Sequence, residues 1–200
     1  IPHVLWALRG GRSRSDVAAA AAIAEAFRAE GARLTILDFD APRSEWVWID
    51  EPVERRGRVH RLLEMLATAD VLVGVFGANL WNALFLRPGS LLVELKTGYG
   101  YPGNENGRSL ASANSLAYYM ADVRRLEVSE EEGAGGTHST VTLTPRFLRR
   151  LAAEVLRAYA IEAGRSRAGS GAERTARHDG RCLFEWPPKE PSLRGLVGML

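Results

Sequence analysis

The chain has 200 residues, of which 46% are hydrophobic, 25% charged and 8% aromatic. A chain of this length fits one domain and buries roughly 70% of the surface that its unfolded form exposes. This composition excludes a disordered chain, a collagen-like fibre and a disulfide-stapled mini-protein. The formal charge of +2 gives no bulk electrostatic reason to bind nucleic acid, and the single cysteine excludes an internal disulfide and a cysteine-cluster metal site.

The sequence contains no run of the roughly 18–20 apolar residues that cross a bilayer, and it shows no secretory signal peptide. It opens on Ile1 rather than on a methionine, so we expect a fragment of a longer protein. A membrane anchor outside these residues is compatible with that expectation.

Hydrophobic periodicity alternates along the chain between short apolar runs, typical of buried strands, and stretches with helical spacing. Strands are predicted over residues 4–8, 33–38, 71–75, 91–95 and 117–120. Helices are predicted over residues 16–30, 59–66, 80–86, 109–116 and from 145 to about 162. Thr144 is the expected N-cap of the last helix, with Pro145 in its first position. The acidic, glycine-rich residues 129–136 are predicted to form a mobile surface loop.

Strands that alternate with helices predict an α/β fold with a Rossmann-like, open, mostly parallel sheet. The run Val71–Val75 has no polar alternation, which is typical of a strand buried on both faces of such a sheet. We therefore expect one Rossmann-like nucleotide-sugar-binding domain over residues 1–162, with residues 163–200 as a linker or flexible tail. In these sheets, ligands bind beyond the carboxyl ends of the strands, where the strand order reverses.

The turn after the first strand carries Arg9, Arg12 and Arg14 around two glycines, at the start of a predicted helix. Backbone N–H groups and the helix dipole favour an anion there, and guanidinium groups fork onto phosphate oxygens. The turn has neither the G-x-G-x-x-G nor the P-loop spacing. It therefore predicts phosphate binding without a dinucleotide fingerprint, beside the alternative of an ordinary solvated turn.

Other polar residues give weaker indications. The D-x-D triplet at residues 38–40 has a shape that holds a metal–diphosphate in some enzymes, but an acidic residue there also ends strands or contacts a ribose. Tyr99 and Tyr101 are candidates to stack on a base or sugar ring, or to pack against the surface. The histidines have no ligand-spaced partners and Cys182 has no activating neighbours, so neither a metal nor a cofactor is predicted.

The most informative segment leaves the third predicted strand and enters a helix. Gly77 and Ala78 permit close backbone approach, Asn79 suits a positive φ, and Asn82 falls in the first helical turn. Together with its flanks, this segment covers residues 69–95 and resembles the signature of glycosyltransferase family 61. In that family the pattern begins with AD, an apolar strand and the motif HGAGLTN. It continues with an apolar stretch containing F, then PPG, a second apolar run and E. The similarity is weaker but collinear over residues 3–38 and fades after about residue 160.

The resemblance implies a GT-B-like fold of two Rossmann-like halves, with this chain as the C-terminal, donor-binding half. It implies an inverting transfer of a sugar from a nucleotide-sugar, expected to be a UDP-sugar, to a hydroxyl of a glycan or protein, without a bound metal. The implied partners are that donor, a glycan or glycoprotein acceptor and the N-terminal half of the same protein, but not nucleic acid. The implied location is the lumen of the Golgi or endoplasmic reticulum, behind a membrane anchor outside this fragment. The implied nucleotide-sugar-binding residues are Arg9, Arg12, Gly77, Ala78, Asn79, Leu80, Asn82 and Glu94, the last as an acceptor for ribose hydroxyls.

Three positions depart from the family pattern: Phe76 stands for its histidine, Asn79 for a glycine and Trp81 for a threonine. A phenyl ring cannot donate a hydrogen bond as an imidazole does, so no catalytic residue is assigned. The alternative is a catalytically inactive nucleotide- or glycan-binding relative. The fragment alone is expected to bind without turnover, because a general base and a water-excluding cleft need the other half. A nicotinamide-dependent enzyme is a third hypothesis, which the missing G-x-G-x-x-G disfavours.

Overall fold

A computed structural model of the chain describes residues 1–8, 17–38, 58–75, 78–96, 106–122, 128–133, 136–141, 143–167 and 181–185. The strands are β1 (His3–Leu8), β2 (Arg33–Asp38), β3 (Val71–Val75), β4 (Leu91–Lys96), β5 (Ala117–Asp122), β6 (Val128–Gly133), β7 (Gly136–Val141) and β8 (Arg181–Glu185). The α-helices are α1 (Val17–Ala29), α2 (Arg58–Thr68), α3 (Asn106–Ala113) and α4 (Pro145–Arg167), and a 3₁₀ helix spans Ala78–Phe85.

Six strands form one open sheet in the order β2-β1-β3-β4-β5-β8, and every neighbouring pair is parallel. The order of the first five is that of a doubly wound sheet, with its reversal between β1 and β3. The predicted Rossmann-like α/β fold is therefore confirmed. The strands β6 and β7 form a separate antiparallel hairpin.

The sheet is covered on both faces, which explains why its central strands carry no polar alternation. On one face, α1 and α4 pack together over a core that includes Trp6, Phe27 and Phe147. On the other face, the core draws on α2, the 3₁₀ helix and α3, and includes Leu72 and Leu92. The ring of Trp6 meets Phe27 edge to face, with ring centroids 6.0 Å apart.

Several local predictions are confirmed by the structure. The strand at residues 33–38 has the predicted bounds, and all of Val71–Gly74 is buried. The α4 helix begins at Pro145, where the Phe147 N–H donates to Thr144 Oγ1 at 3.3 Å, as an N-cap predicts. Residues spaced three and four apart form the apolar face of α4: Leu148, Leu151 and Val155 are fully buried, and Tyr159 is partly buried.

Other segments differ from the prediction. Residues 128–133 and 136–141, predicted in part as a mobile loop, pair as the antiparallel strands β6 and β7. Helix α3 begins at Asn106, three residues before the predicted start, and the helix after β3 is of the 3₁₀ type. Within residues 163–200, predicted to form a linker or tail, α4 continues to Arg167 and Arg181–Glu185 pair with β5. This last stretch belongs to the sheet.

Polar contacts link the segments at the amino-terminal ends of the sheet strands. The His3 N–H donates to Asp70 Oδ2 (2.8 Å), and the Asp70 N–H donates to the His3 carbonyl (2.9 Å). The Arg87 guanidinium pairs with the same Asp70 carboxylate. His3 Nε2 lies 3.0 Å from Thr35 Oγ1, while Nδ1 is buried with no hydrogen-bond partner among the described residues. Burial, together with the positive charge of Arg33, lowers the pKa of His3 to about 4.

Candidate functional site

The strand order reverses between β1 and β3, and this point defines the candidate site. The two strands are paired in parallel with Ala7 opposite Gly74, so their carboxyl ends meet at one edge. From this edge, the chain passes after β1 to β2 on one side and after β3 to β4 on the other. The carboxyl ends of β1 and β3 therefore lie side by side, at the place where doubly wound sheets bind ligands. Arg9, Arg12 and Gly77, predicted to bind the donor, follow these strands in the sequence and lie outside the described residues.

The described part of the family-like motif continues in the 3₁₀ helix. Ala78 and Asn79 form its first two positions. Leu80 is buried in the core, so it anchors the helix on the sheet. Asn82 is half-buried and has a bonding partner. Of the last two predicted site residues, Leu80 is therefore part of the core, whereas the Asn82 amide is partly accessible.

A close contact holds the 3₁₀ helix against the reversal point. An added Cβ on Gly74 would stand 2.9 Å from Leu80 Cδ2 and 3.2 Å from the Ala7 Cβ. Distances this short exclude a side chain at position 74 without movement of its neighbours. The glycine therefore lets the helix that follows β3 lie directly over β1 and β3.

Glu94 provides the buried carboxyl group of the site. It lies on β4 opposite Gly74 in the strand register, with its side chain 3% exposed. The Tyr118 hydroxyl donates to Glu94 Oε2 at 2.5 Å, and the first turn of α3 approaches so closely that a Cβ on Gly107 would collide with the same oxygen. Burial raises the pKa of Glu94, against the opposing effects of the Tyr118 hydrogen bond and of Lys96. The group is thus a hydrogen-bond acceptor that also holds a proton more readily than an ordinary glutamate.

The structure brings some predicted site residues together and not others. Glu94 and Leu80 both lie on the face covered by the 3₁₀ helix and α3. Glu94 is the register partner of Gly74, and Leu80 packs over Gly74. Asp38 ends β2 at the sheet edge, one strand beyond β1, and Asp40 lies outside the described residues, as do Tyr99 and Tyr101.

Sequence reasoning missed the partners of Glu94. Tyr118 pairs with Leu92 in the register, so its side chain shares the face of Glu94, two residues along β4. Because side chains alternate between the two faces of a strand, the sequence indicates which residues of β5 share a face. It does not indicate which residues of β4 they meet, since that depends on the parallel register of the two strands. Gly107 stands before the helix predicted over residues 109–116. Its close approach to Glu94 follows from the earlier start of α3, at Asn106.

Two kinds of feature are absent from the described part of the chain. Among the ranges the structure describes, no three His, Cys, Asp or Glu side chains cluster as ligands for a metal ion. No helix within those ranges is long and apolar enough to span a membrane.

Fold and site together define a doubly wound α/β domain whose strand order reverses between β1 and β3. Comparison with known proteins adds no closer assignment, since no family model and no curated protein gives a significant match to this chain.

Proposed function

We propose that this chain is the nucleotide-sugar-binding domain of an inverting glycosyltransferase resembling family 61. The donor is a nucleotide-sugar, taken to be a UDP-sugar, and the acceptor is a hydroxyl of a glycan or protein. One observation carries the proposal. The family-like residues 70–95 coincide with the unit of β3, the 3₁₀ helix and β4, which leaves the reversal point of the sheet.

The proposed binding mode assigns a role to each segment. Arg9 and Arg12 offset the diphosphate charge from the turn that follows β1, because guanidinium groups make paired hydrogen bonds to phosphate oxygens. The small residues Gly77 and Ala78 let the backbone approach the donor from the β3 side. Glu94 is the proposed acceptor for ribose hydroxyls. Its Oε2 accepts from Tyr118, and the remaining lone pairs of the carboxylate are the proposed acceptors for the ribose hydroxyl.

In the transfer itself, the acceptor hydroxyl attacks the anomeric carbon, and the bond from that carbon to the diphosphate oxygen breaks. Negative charge develops on the departing diphosphate, and positive groups that are already in place stabilise it. The proton of the acceptor passes to a base that we assign to the other half of the protein. On this proposal the chain binds the donor and its product, and it does not turn over alone.

The second candidate is a binding relative without catalytic activity. Phe76 replaces the family histidine, and Trp81, which replaces the threonine, is 52% exposed on the 3₁₀ helix. Changing Phe76 to histidine in the full-length protein separates the two functions. Transfer activity that appears only in the Phe76→His variant identifies the natural protein as a binder.

Calorimetric titration of the chain with UDP tests the proposed donor site. We expect a Kd between micromolar and millimolar, as is reasonable for half of a composite site. The double variant Arg9→Ala/Arg12→Ala is expected to weaken binding at least about tenfold, since two charge-assisted contacts are lost. The control Arg28→Ala/Arg149→Ala removes the same charge from exposed positions of α1 and α4 and is expected to bind normally.

Three results would count against the proposal. Absence of heat from the folded chain would remove UDP as its ligand. Equal loss in the control variant would reduce the arginine effect to bulk charge. Tighter binding of a nicotinamide dinucleotide than of UDP would favour the third hypothesis.

A further inference from the structure

The 3₁₀ helix has an unusual length and a clear periodicity. It runs over eight residues, Ala78–Phe85, whereas 3₁₀ runs longer than three or four residues are uncommon. Its buried side chains recur at every third position, at Leu80 and Ala83 and, just beyond its end, at Leu86. This spacing matches three residues per turn, and it leaves Trp81 and Leu84 outside, 52% and 45% exposed.

Pro88 removes one backbone donor near the carboxyl end of this helix. The residue four positions after Leu84 is Pro88, which has no N–H to give to the Leu84 carbonyl. The Leu86 N–H donates to the Ala83 carbonyl (3.2 Å), which closes a 3₁₀ turn. The Leu84 carbonyl therefore has no α-helical donor, and the carbonyls at this end can accept from groups elsewhere in the molecule.

Asn114, just after α3, supplies these donors. Its Nδ2 donates to the carbonyls of Leu86 (2.7 Å), Ala83 (3.1 Å) and Leu84 (3.3 Å). A carboxamide carries two N–H bonds, so two of these three contacts share one hydrogen. One side chain thus caps two carbonyls of the 3₁₀ helix and the carbonyl of Leu86, just beyond its end.

The turn that carries Asn114 is itself fixed on both sides. The Asn114 N–H donates to the Leu110 carbonyl (3.2 Å), and Ser115 follows in the left-handed region with φ at 53°. The Ser115 carbonyl accepts from the Gly89 N–H at 3.0 Å. A non-glycine residue in this region is strained, and the bonds around it keep the Asn114 amide aimed at the 3₁₀ helix.

We propose that Asn114 is a positioning residue for the nucleotide-sugar site. By capping the carbonyls it keeps the helix after β3 in the 3₁₀ form, and this form sets the direction in which Asn82 faces the donor. The inference rests on the proposed function for the identity of the ligand. Its structural part, control of the helix form from α3, stands on the hydrogen bonds alone.

The alternative form shows why the cap matters. An α-helix turns 100° per residue instead of 120°, so Asn82 would rotate by roughly 40° relative to Leu80. Leu84 would turn toward the sheet and Leu86 away from it, since the buried spacing would change from three to 3.6 residues. Loss of the cap therefore alters the face that the motif presents, even when the fold persists.

Hydrogen exchange and UDP titration on the whole chain test the proposal together. The variants are Asn114→Asp, which keeps the shape but removes the donors, and Asn114→Ala. The matched control is Val155→Ala, a truncation in the core of α4 on the opposite face of the sheet. We expect amides of residues 80–86 to exchange at least about tenfold faster in both Asn114 variants, beyond any change elsewhere, because their local opening costs less. We expect UDP affinity to fall at least about threefold in both, and to persist in the control at equal loss of thermal stability.

The outcomes separate the inference from the proposed function. Unchanged exchange over residues 80–86, or faster exchange with undiminished UDP affinity, overturns the role of Asn114. Equal weakening of UDP binding in Val155→Ala assigns the effect to global stability and also overturns it. Wild-type chain that binds no UDP refutes the proposed function and with it the ligand role, whereas the exchange data still decide whether Asn114 holds the helix.

Discussion

Two buried titratable residues lie near opposite ends of the parallel strands, and burial shifts their pKa values in opposite directions. His3, at the amino-terminal edge, is held neutral by burial and by the nearby Arg33. Glu94, near the carboxyl ends of the strands, has a raised pKa because burial disfavours its charged form. Stability should therefore depend on pH in two windows, each of which a single substitution can isolate.

The first window concerns His3. Its pKa is about 4 in the folded chain and 6.5 in the unfolded chain, so acid protonates the unfolded form first. The stability that neutral His3 contributes is complete above pH 6.5 and is lost as the pH falls toward 4, roughly 3 kcal/mol in all. Urea unfolding of wild type and His3→Gln at pH 7 and pH 4.5 should show a smaller loss in the variant. An equal loss in both proteins would contradict this assignment.

The second window concerns Glu94 and has the opposite sign. A carboxyl with a raised pKa stabilises the fold fully below its unfolded pKa of 4.5, and this contribution is lost as the pH rises through the folded value. The Glu94→Gln variant keeps an acceptor for Tyr118 and cannot ionise. Between pH 5 and pH 8 it should therefore lose less stability than the wild type in urea unfolding. A larger loss in the variant would show that the charged form is the one the fold prefers.

Among the elements, the 3₁₀ helix is the one that sequence patterns describe least completely. Its existence after β3 follows from the apolar residues 80–86, but its type depends on tertiary donors. Pro88 is visible in the sequence, whereas the approach of Asn114 depends on where α3 ends. The packing of Leu80 over Gly74 depends in the same way on a neighbouring strand.

This packing gives a test at the level of the element. Gly74→Ala places a methyl group against Leu80 and Ala7, and overpacking of this kind costs roughly 1–3 kcal/mol. The matched control is Gly164→Ala on α4, where an added Cβ meets nothing within 4 Å and the better helix propensity of alanine is worth up to about 1 kcal/mol. Thermal unfolding should therefore move in opposite directions for the two variants. Equal stability of Gly74→Ala and wild type would mean that Leu80 yields without cost.

At the scale of the molecule, the fold class could be predicted from the sequence, but the strands β6, β7 and β8 could not. The buried strands at 71–75 and 91–95 are continuous apolar runs, and the residues alone indicate a parallel sheet because such runs suit strands covered on both faces. The β6–β7 hairpin was missed because its residues are mostly glycine, acidic or hydroxyl-bearing, which is typical of loops. The β8 strand was missed because its five residues stand among glycines, serines and arginines. The candidate site was predictable as far as its motif, but not in its contacts, since these join residues from different strands.

The role of β8 can be tested by truncation after Arg167, which removes residues 168–200 and leaves β5 as the edge of the sheet. We expect lower thermal stability and a greater tendency to associate, because an uncovered strand edge offers unpaired backbone groups. Size-exclusion chromatography and thermal unfolding of the two chains measure both effects. Unchanged behaviour after truncation would show instead that the pairing of β8 with β5 contributes little to stability or to solubility.

The all-parallel pairing of the large sheet has a consequence for the route by which the chain folds. Parallel strands cannot pair through a tight hairpin, so each pairing must close a longer loop. The shortest such loop joins β3 to β4 through residues 76–90, while β5 and β8 are separated by residues 123–180. Since the entropy cost of closure grows with loop length, the nucleus is expected to form around β3, the 3₁₀ helix and β4. The segment that carries the family resemblance is then also the one that assembles first, so changes within it slow folding, whereas changes in β8 mainly speed unfolding.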